Sequence, residues 1–292
     1  VAMGVAWFYM TMSGLLIAEL SLNRLGQSGK PGAGLLDMYQ DRLGKWGAVG
    51  SLAYFFLHYA VVVAYIAQGG VNLEAFLQWA GLEAVAPGFG QVAFAGICSL
   101  GLFAASPVVV EVVNNAFVVI MAACFAGIIG LGAQSADFAS LVDLSNQHPE
   151  QVANAFPIIF LALVYQNVVP TVVKQLEGDR TKIIQSIIGG TTIPTLMFIA
   201  WNAVILGNIH GADVSSVNPI SLLQSSQGDS AALGALVSGF SSIALVTSLI
   251  GFTYGLLDAW TDLFQIPREG KGFEKWKAPL FGLVFVPPLA MS

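Results

Sequence analysis

The chain has 292 residues, of which 56% are apolar and only 10% are charged, and its mean hydropathy is +0.75. Soluble domains contain about 25% charged residues, so this composition excludes an ordinary soluble domain and predicts an all-α polytopic protein of the lipid bilayer. The formal net charge of −6 says little about partners, because most acids lie in the polar connections.

Apolar runs of about the length that a helix needs to cross a membrane recur along the chain. We predict one transporter-like domain over residues 1–292 with eight spans, at 1–22, 46–68, 89–105, 108–132, 155–173, 183–209, 231–259 and 278–292.

The eleven Lys and Arg residues fall into three stretches, which follow the first, fifth and seventh spans. All three connections therefore lie on one side of the membrane. Cytoplasmic loops retain positive charge, so we predict that 24–45, 174–182 and 260–277 face the cytoplasm of an inner-membrane protein. The first span then begins outside, and we expect at least one helix before Val1.

The first span contains Glu19, about one turn before Arg24, and we expect the two to pair at the cytoplasmic face. Glu111 and Asp258 lie near the inner ends of the fourth and seventh spans. Acids within spans are functional candidates by default. Because these three lie near an interface, we favour structural or gating contacts over proton transport through them.

In the second span, Phe55, His58 and Tyr59 share one helical face. Such a face either lines a pocket or packs against a neighbouring helix. His58 is the histidine predicted inside a span, and it titrates near neutral pH in its unperturbed form, so it is a candidate for proton coupling.

The fifth span reads AFPIIFLALVYQNVVPTVVKQL and turns polar near its middle, at Tyr165, Gln166 and Asn167. Pro170 has no N–H to donate to the carbonyl of Gln166, so we predict a weakened helix at this point. In transporters, broken helices of this kind bind the charged ends of a substrate. The alternative is a kinked helix whose polar groups bond to neighbouring helices.

Two later spans contain further polar or helix-breaking residues. In the sixth span, Pro194 leaves the carbonyl of Gly190 without its helical donor, and a packing kink is the favoured interpretation. In the seventh span, the hydroxyls of Ser241 and Ser242 either satisfy backbone carbonyls or contact an ion or a substrate.

The sequence contains no His/Cys cluster with metal-ligand spacing, no glycine-rich phosphate loop and no basic-aromatic face for nucleic acid. The spans also contain no nucleophile–base pair. We therefore predict no enzyme activity, no metal or other cofactor and no nucleic-acid partner. Cys98 and Cys124 both lie in apolar segments and are interpreted as packing residues rather than a disulfide.

Four runs carry a family resemblance: LLIAELSLN from Leu15, AYIAQGG from Ala64, VVPTVVKQLEGDRTKI from Val168 and VTSLIGFTYGLLDAW from Val246. Together they resemble the bacterial aromatic amino acid permeases, the tyrosine- and tryptophan-specific transporters of the amino acid–polyamine–cation superfamily.

The resemblance implies an inverted-repeat fold with discontinuous helices, in which the first span here is the family's second helix. The chain would then lack the family's first and last helices. The segment Val164–Asn167 would lie where the family binds substrate. The resemblance also implies an internal short helix at 31–42, an extracellular cap at 213–227 and coupling to the proton gradient.

These observations predict a symporter that imports an aromatic amino acid such as tyrosine or tryptophan. Its substrate would meet Val164, Tyr165, Gln166 and Asn167, and the side chain would rest against Phe55, Tyr59 and Tyr165, with Ser241 and Ser242 closing the site. Two alternatives remain: a sodium-coupled transporter that uses Ser241 and Ser242 for the ion, and a non-transporting membrane scaffold or sensor.

Overall fold

A computed structural model of the chain describes residues 2–28, 36, 38–39, 43–82, 86–143, 152–208, 231–266 and 270–292. The predicted extracellular cap at 213–227 lies outside the described residues. So does most of the predicted internal helix at 31–42, where only Leu36, Met38 and Tyr39 are described.

The described residues form nine α-helices. In chain order these are α1 Ala2–Ser28, α2 Gly47–Trp79, α3 Phe89–Ala104, α4 Pro107–Gly132, α5 Val152–Ala162, α6 Val169–Gln175, α7 Arg180–Asn208, α8 Ala231–Leu263 and α9 Lys271–Met291. Short 3₁₀ helices lie at Gly44–Trp46, Ala139–Val142 and Gln166–Val168.

The predicted all-α membrane class is confirmed, since the described ranges contain helices and no strand. Within the described ranges, six segments are long and apolar enough to cross a membrane: Ala2–Leu25, Gly44–Trp79, Pro107–Gly132, Val152–Gln175, Arg180–Asn208 and Ala232–Leu263. Helix α3 is a shorter apolar helix. The chain is an integral membrane protein; the count of eight spans and the inverted repeat stay predictions.

The chain divides into two compact units, each of which combines two separate parts of the sequence. The first unit comprises Val1–Ala33 and Ala126–Ala235, and the second comprises Gly34–Phe125 and Leu236–Ser292.

In the first unit, α1 packs against α5, α6 and α7. Its core includes the buried side chains of Ala18, Val173 and Ile187. The turn before α7 ends at Asp179, whose carboxylate accepts a hydrogen bond from the backbone N–H of Lys182 at 3.1 Å. This contact satisfies one of the unpaired donors of the first helical turn, which explains why α7 begins here.

In the second unit, α2 packs closely against α3, and α9 packs against both. Glycines permit the close approach of α2 and α3. A Cβ on Gly70 would lie 2.6 Å from the backbone nitrogen of Gln91, and a Cβ on Gly90 would overlap the carbonyl oxygen of Gly70. Small residues allow helices to pack at this distance within a membrane.

A broken helix beside a small cavity

The fifth predicted span is broken into two helical pieces. Helix α5 ends at Ala162, and helical structure resumes with the 3₁₀ turn at Gln166. The N–H of Tyr165 donates to the side-chain oxygen of Gln166 at 3.1 Å. Among the described residues, no donor reaches the carbonyls of Leu163 and Val164. The break therefore presents backbone acceptors at membrane depth, which is tolerated where they line a cavity.

The break does not arise from the missing N–H of Pro170, as the sequence predicts. The carbonyl of Gln166 is not left open, because it accepts a hydrogen bond from the N–H of Val169. Pro170 is placed in the first turn of α6, where the missing N–H costs no helical hydrogen bond. The unwound residues lie upstream, at Leu163–Tyr165, where the side chain of Gln166 replaces a helical acceptor.

Tyr165 and Gln166 both anchor the break to α1. The Tyr165 hydroxyl donates to the carbonyl of Met10 at 3.1 Å. The Gln166 amide lies 3.5 Å from the same carbonyl and 3.3 Å from the Met10 sulfur. Gly14 makes room for this contact, since a Cβ there would overlap the Tyr165 hydroxyl.

A cavity of about 170 Å³ lies beside the break, within the first unit. The break supplies Ala162, Leu163, Val164 and Tyr165 to its wall, α1 supplies Trp7 and Met10, and α7 supplies Gly190, Thr191 and Pro194. Of the predicted binding residues, Val164 and Tyr165 line this cavity. Gln166 and Asn167 follow directly in the chain and are half-buried.

A hydrogen-bonded group that the sequence did not reveal fixes one wall of the cavity. The indole nitrogen of Trp7 donates to the Thr191 hydroxyl oxygen at 3.2 Å, and the hydroxyls of Thr11 and Thr191 lie 3.0 Å apart. The Thr191 hydroxyl also lies 2.9 Å from the carbonyl of Ile187. The signal in the sequence was the Gly-Thr-Thr-Ile-Pro run around Thr191, for which a packing kink was the favoured interpretation.

The aromatic face predicted on α2 lies in the second unit and is already engaged. The Phe55 ring lies 4.7 Å from the Trp260 ring. The Tyr59 hydroxyl donates to the carbonyl of Leu283 at 2.7 Å and accepts from the Trp260 indole at 3.0 Å. His58 is 2% exposed, with Nδ1 2.9 Å from the carbonyl of Tyr54. These contacts favour the packing interpretation of this face.

Ser241 and Ser242 lie near Asn72, whose amide nitrogen is 3.5 Å and 3.4 Å from their hydroxyl oxygens. Asn72 and Tyr59 are 13 positions apart on α2. At ~1.5 Å of rise per residue, that is roughly 20 Å along the helix. The structure therefore does not bring the two serines together with Phe55 and Tyr59 around one amino acid.

The predicted gating acids have separate surroundings. Glu19 pairs with Arg180 at 3.0 Å, across α1 and α7, and not with Arg24 as the sequence spacing suggests. Glu111 is exposed, and Asp258 is half-buried on α8. The described part of the chain contains no group of three or more His, Cys, Asp or Glu residues that fits a metal ion.

Comparison with known proteins identifies the family. The model of the tryptophan/tyrosine permease family matches residues 1–292. A tryptophan-specific transport protein of Haemophilus influenzae is 25% identical, over 98% of this chain and 70% of its own length. A tyrosine-specific transport system of the same species is 24% identical over 98% and 70%. A low affinity tryptophan permease of Escherichia coli is 25% identical over 97% and 69%.

No solved structure matches the chain. The resemblance seen in the sequence is confirmed, and the matching family consists of transport permeases rather than enzymes. The chain belongs to the tryptophan/tyrosine permease family.

Proposed function

We propose that the protein imports an aromatic amino acid, tryptophan or tyrosine, across the cytoplasmic membrane, and that the proton gradient drives the import. The observation that supports this most strongly is the break at Leu163–Tyr165 with a cavity beside it, in a member of a permease family. A broken helix at membrane depth is the device with which many transporters hold a charged substrate.

The chemistry of the break suits the charged end of an amino acid. Helix α5 has 11 residues, and its carbonyl end faces the break. The carbonyl end of a helix carries a partial negative charge, and the carbonyls of Leu163 and Val164 add further acceptors. We assign the substrate's ammonium group to these acceptors. Val164, Tyr165, Gln166 and Asn167 are the proposed contacts.

The distribution of Lys and Arg supports an orientation of the chain in the membrane. Connections 24–45, 174–182 and 260–277 would face the cytoplasm, so the Glu19–Arg180 pair would lie at the inner side. Helix movement around the break would then open the site to each side in turn. His58 is the candidate proton carrier, and Ser241 and Ser242 are the candidate contacts of a sodium ion in the alternative.

Uptake of labelled tryptophan and tyrosine tests the proposal, in cells that lack other aromatic amino acid carriers and express the native protein. We expect uptake above the empty-vector level that persists without sodium and collapses with a protonophore. Uptake that requires sodium would identify sodium, and not the proton, as the coupling ion. An absence of uptake for both amino acids, with protein present in the membrane, would favour the scaffold or sensor alternative.

A single substitution at the break gives a second test. We expect Asn167→Ala to reduce tryptophan uptake without reducing the amount of protein in the membrane, because the variant removes a polar side chain next to the proposed ammonium site. Unchanged maximal rate and KM in this variant would argue against the assignment of Asn167.

A further inference from the structure

The cavity beside the break has the size of an aromatic side chain rather than of a whole amino acid. Its volume is about 170 Å³. Ligand pockets that enclose a whole small molecule begin at about 300 Å³, whereas an apolar cavity of about 150 Å³ binds benzene. One aromatic ring with a polar substituent therefore matches the available space.

The wall of the cavity is apolar and aromatic on the α1 side, where Trp7 and Met10 lie. Thr191 contributes little free polarity, because its hydroxyl is engaged with Trp7, Thr11 and Ile187. Burial of a ring against such a wall is favourable because it removes apolar surface from water.

One carbonyl of the α7 wall lacks its usual helical donor. Gly190 has no side chain, so it lines the cavity through backbone atoms alone. Pro194 is four residues later inside α7 and has no N–H with which to close the helical hydrogen bond to the Gly190 carbonyl. No side chain of the described residues donates to that carbonyl. The cavity therefore combines an aromatic wall with the Gly190 carbonyl, in addition to the carbonyls of Leu163 and Val164 at the break.

We propose that this cavity is the side-chain subsite of the transporter, and that the Gly190 carbonyl accepts a hydrogen bond from the indole N–H of tryptophan or the phenol O–H of tyrosine. The inference rests on the proposed function, since it locates the substrate's side chain beside the break. It gives a physical reason for preferring tryptophan and tyrosine over phenylalanine, because phenylalanine would leave the acceptor unpaired.

This location differs from the one expected from the sequence, where Phe55 and Tyr59 hold the side chain. In the second unit both residues are already in contact with Trp260, and the Tyr59 hydroxyl is committed to Leu283. The cavity of the first unit, in contrast, is open beside the break and shares Val164 and Tyr165 with the proposed ammonium site.

The test is competition for uptake of labelled tryptophan by unlabelled tryptophan, 1-methyltryptophan and phenylalanine in cells that express the native protein. We expect wild type to prefer tryptophan over both analogues by about tenfold or more. Pro194→Ala supplies an N–H to the Gly190 carbonyl. In this variant the ratio of the affinity for tryptophan to that for each analogue should fall towards one, and phenylalanine should still compete for uptake.

A matched pair of variants keeps the test decisive if Pro194→Ala does not fold. Gly189 and Gly190 both lie in α7 with nothing within 4 Å of an added Cβ, but only Gly190 lines the cavity. We expect Gly190→Ala to weaken tryptophan uptake several-fold and Gly189→Ala to leave it unchanged.

The possible results distinguish a failure of the side-chain subsite from a failure of the proposed transport function. Tryptophan uptake with no preference over 1-methyltryptophan, or with equal effects of the two alanine variants, would overturn the subsite and leave the transporter intact. An absence of uptake of any aromatic amino acid by wild type would overturn the proposed function itself.

Discussion

The hydroxyl of Tyr165 donates a hydrogen bond to the backbone carbonyl of Met10 at 3.1 Å, and the Tyr165 ring occupies the space above Gly14. This contact joins the unwound segment of the broken helix to α1. The conformation of the break therefore depends on Gly14, which is distant in sequence and leaves space for the Tyr165 ring because it has no side chain.

Gly14→Ala should therefore destabilise the protein by about 1–3 kcal/mol, because the added methyl group overlaps the Tyr165 hydroxyl and forces the ring to move. Gly4→Ala is the matched control on the same helix, since an added Cβ there meets nothing within 4 Å. Thermal unfolding in detergent measures both variants. Equal melting temperatures for the two variants would show that the Tyr165 ring does not restrict the side chain at position 14.

A second prediction concerns a carbonyl that a proline leaves open in α9. Pro287 has no N–H for the carbonyl of Leu283, and the Tyr59 hydroxyl donates to it instead at 2.7 Å. Tyr59→Phe should cost about 0.5–2 kcal/mol, the range for hydrogen bonds between membrane helices. Tyr65→Phe is the control, since no hydrogen bond of its hydroxyl occurs among the described residues.

A double-mutant cycle sharpens this prediction. Pro287→Ala supplies the missing N–H to the Leu283 carbonyl, so Tyr59→Phe should cost less in that background than in wild type. Equal costs in the two backgrounds would mean that the Tyr59 hydroxyl stabilises the protein through the Trp260 indole and not through the Leu283 carbonyl.

The sequence predicted the helical segments well, because apolar length is a direct requirement of the bilayer. It placed the broken helix in the correct span, since Tyr165 and Gln166 interrupt an otherwise apolar run. The predicted cause of the break was wrong, because Pro170 is compatible with the first turn of α6. The side chain of Gln166 accepts the N–H of Tyr165 instead, and helix propensities do not predict this contact.

Contacts between distant segments were beyond reach of the sequence. The short spacing of Glu19 and Arg24 suggested a pair, but the packing of α1 against α7 brings Arg180 to Glu19 instead. Trp7 and Thr191 were missed as cavity residues for the same reason. They are hydrogen-bonded in the structure but lie 184 positions apart in the sequence.

The start of α7 predicts a pH dependence. Hydrogen bonds and the charge of Lys182 hold the pKa of Asp179 below its usual value. A carboxylate with a lowered folded pKa stabilises the protein above its unfolded pKa, and this contribution is lost as the pH falls through the folded pKa. Asp179→Ala should therefore lower the melting temperature at pH 7.

This effect should shrink as the pH falls below about 4, the range in which an aspartate becomes protonated. Asp179→Asn separates the two contributions, because an asparagine caps a helix without a negative charge. A difference between wild type and Asp179→Ala that is the same at pH 7 and at pH 3 would contradict an ionised cap.

The proposed orientation predicts the side from which two exposed positions react. Thr181 lies in the first turn of α7, within the predicted cytoplasmic connection 174–182, and Leu82 follows α2 on the side predicted to face outwards. In a background with Cys98→Ala and Cys124→Ala, we expect Leu82→Cys to react with a membrane-impermeant thiol reagent in intact cells. Thr181→Cys should react only after the membrane is opened; the reverse pattern would invert the topology.

If the broken helix is the transport site, Gln166→Ala should abolish most uptake of labelled tryptophan. Gln166 accepts the N–H of Tyr165 and contacts Met10, so its loss removes the side chain that holds the break. Gln175→Ala is the control, at an exposed position later in the same segment. We expect at least a tenfold loss of uptake for Gln166→Ala at equal protein levels, with Gln175→Ala unchanged. Wild-type uptake by Gln166→Ala would show that the break is not the transport site.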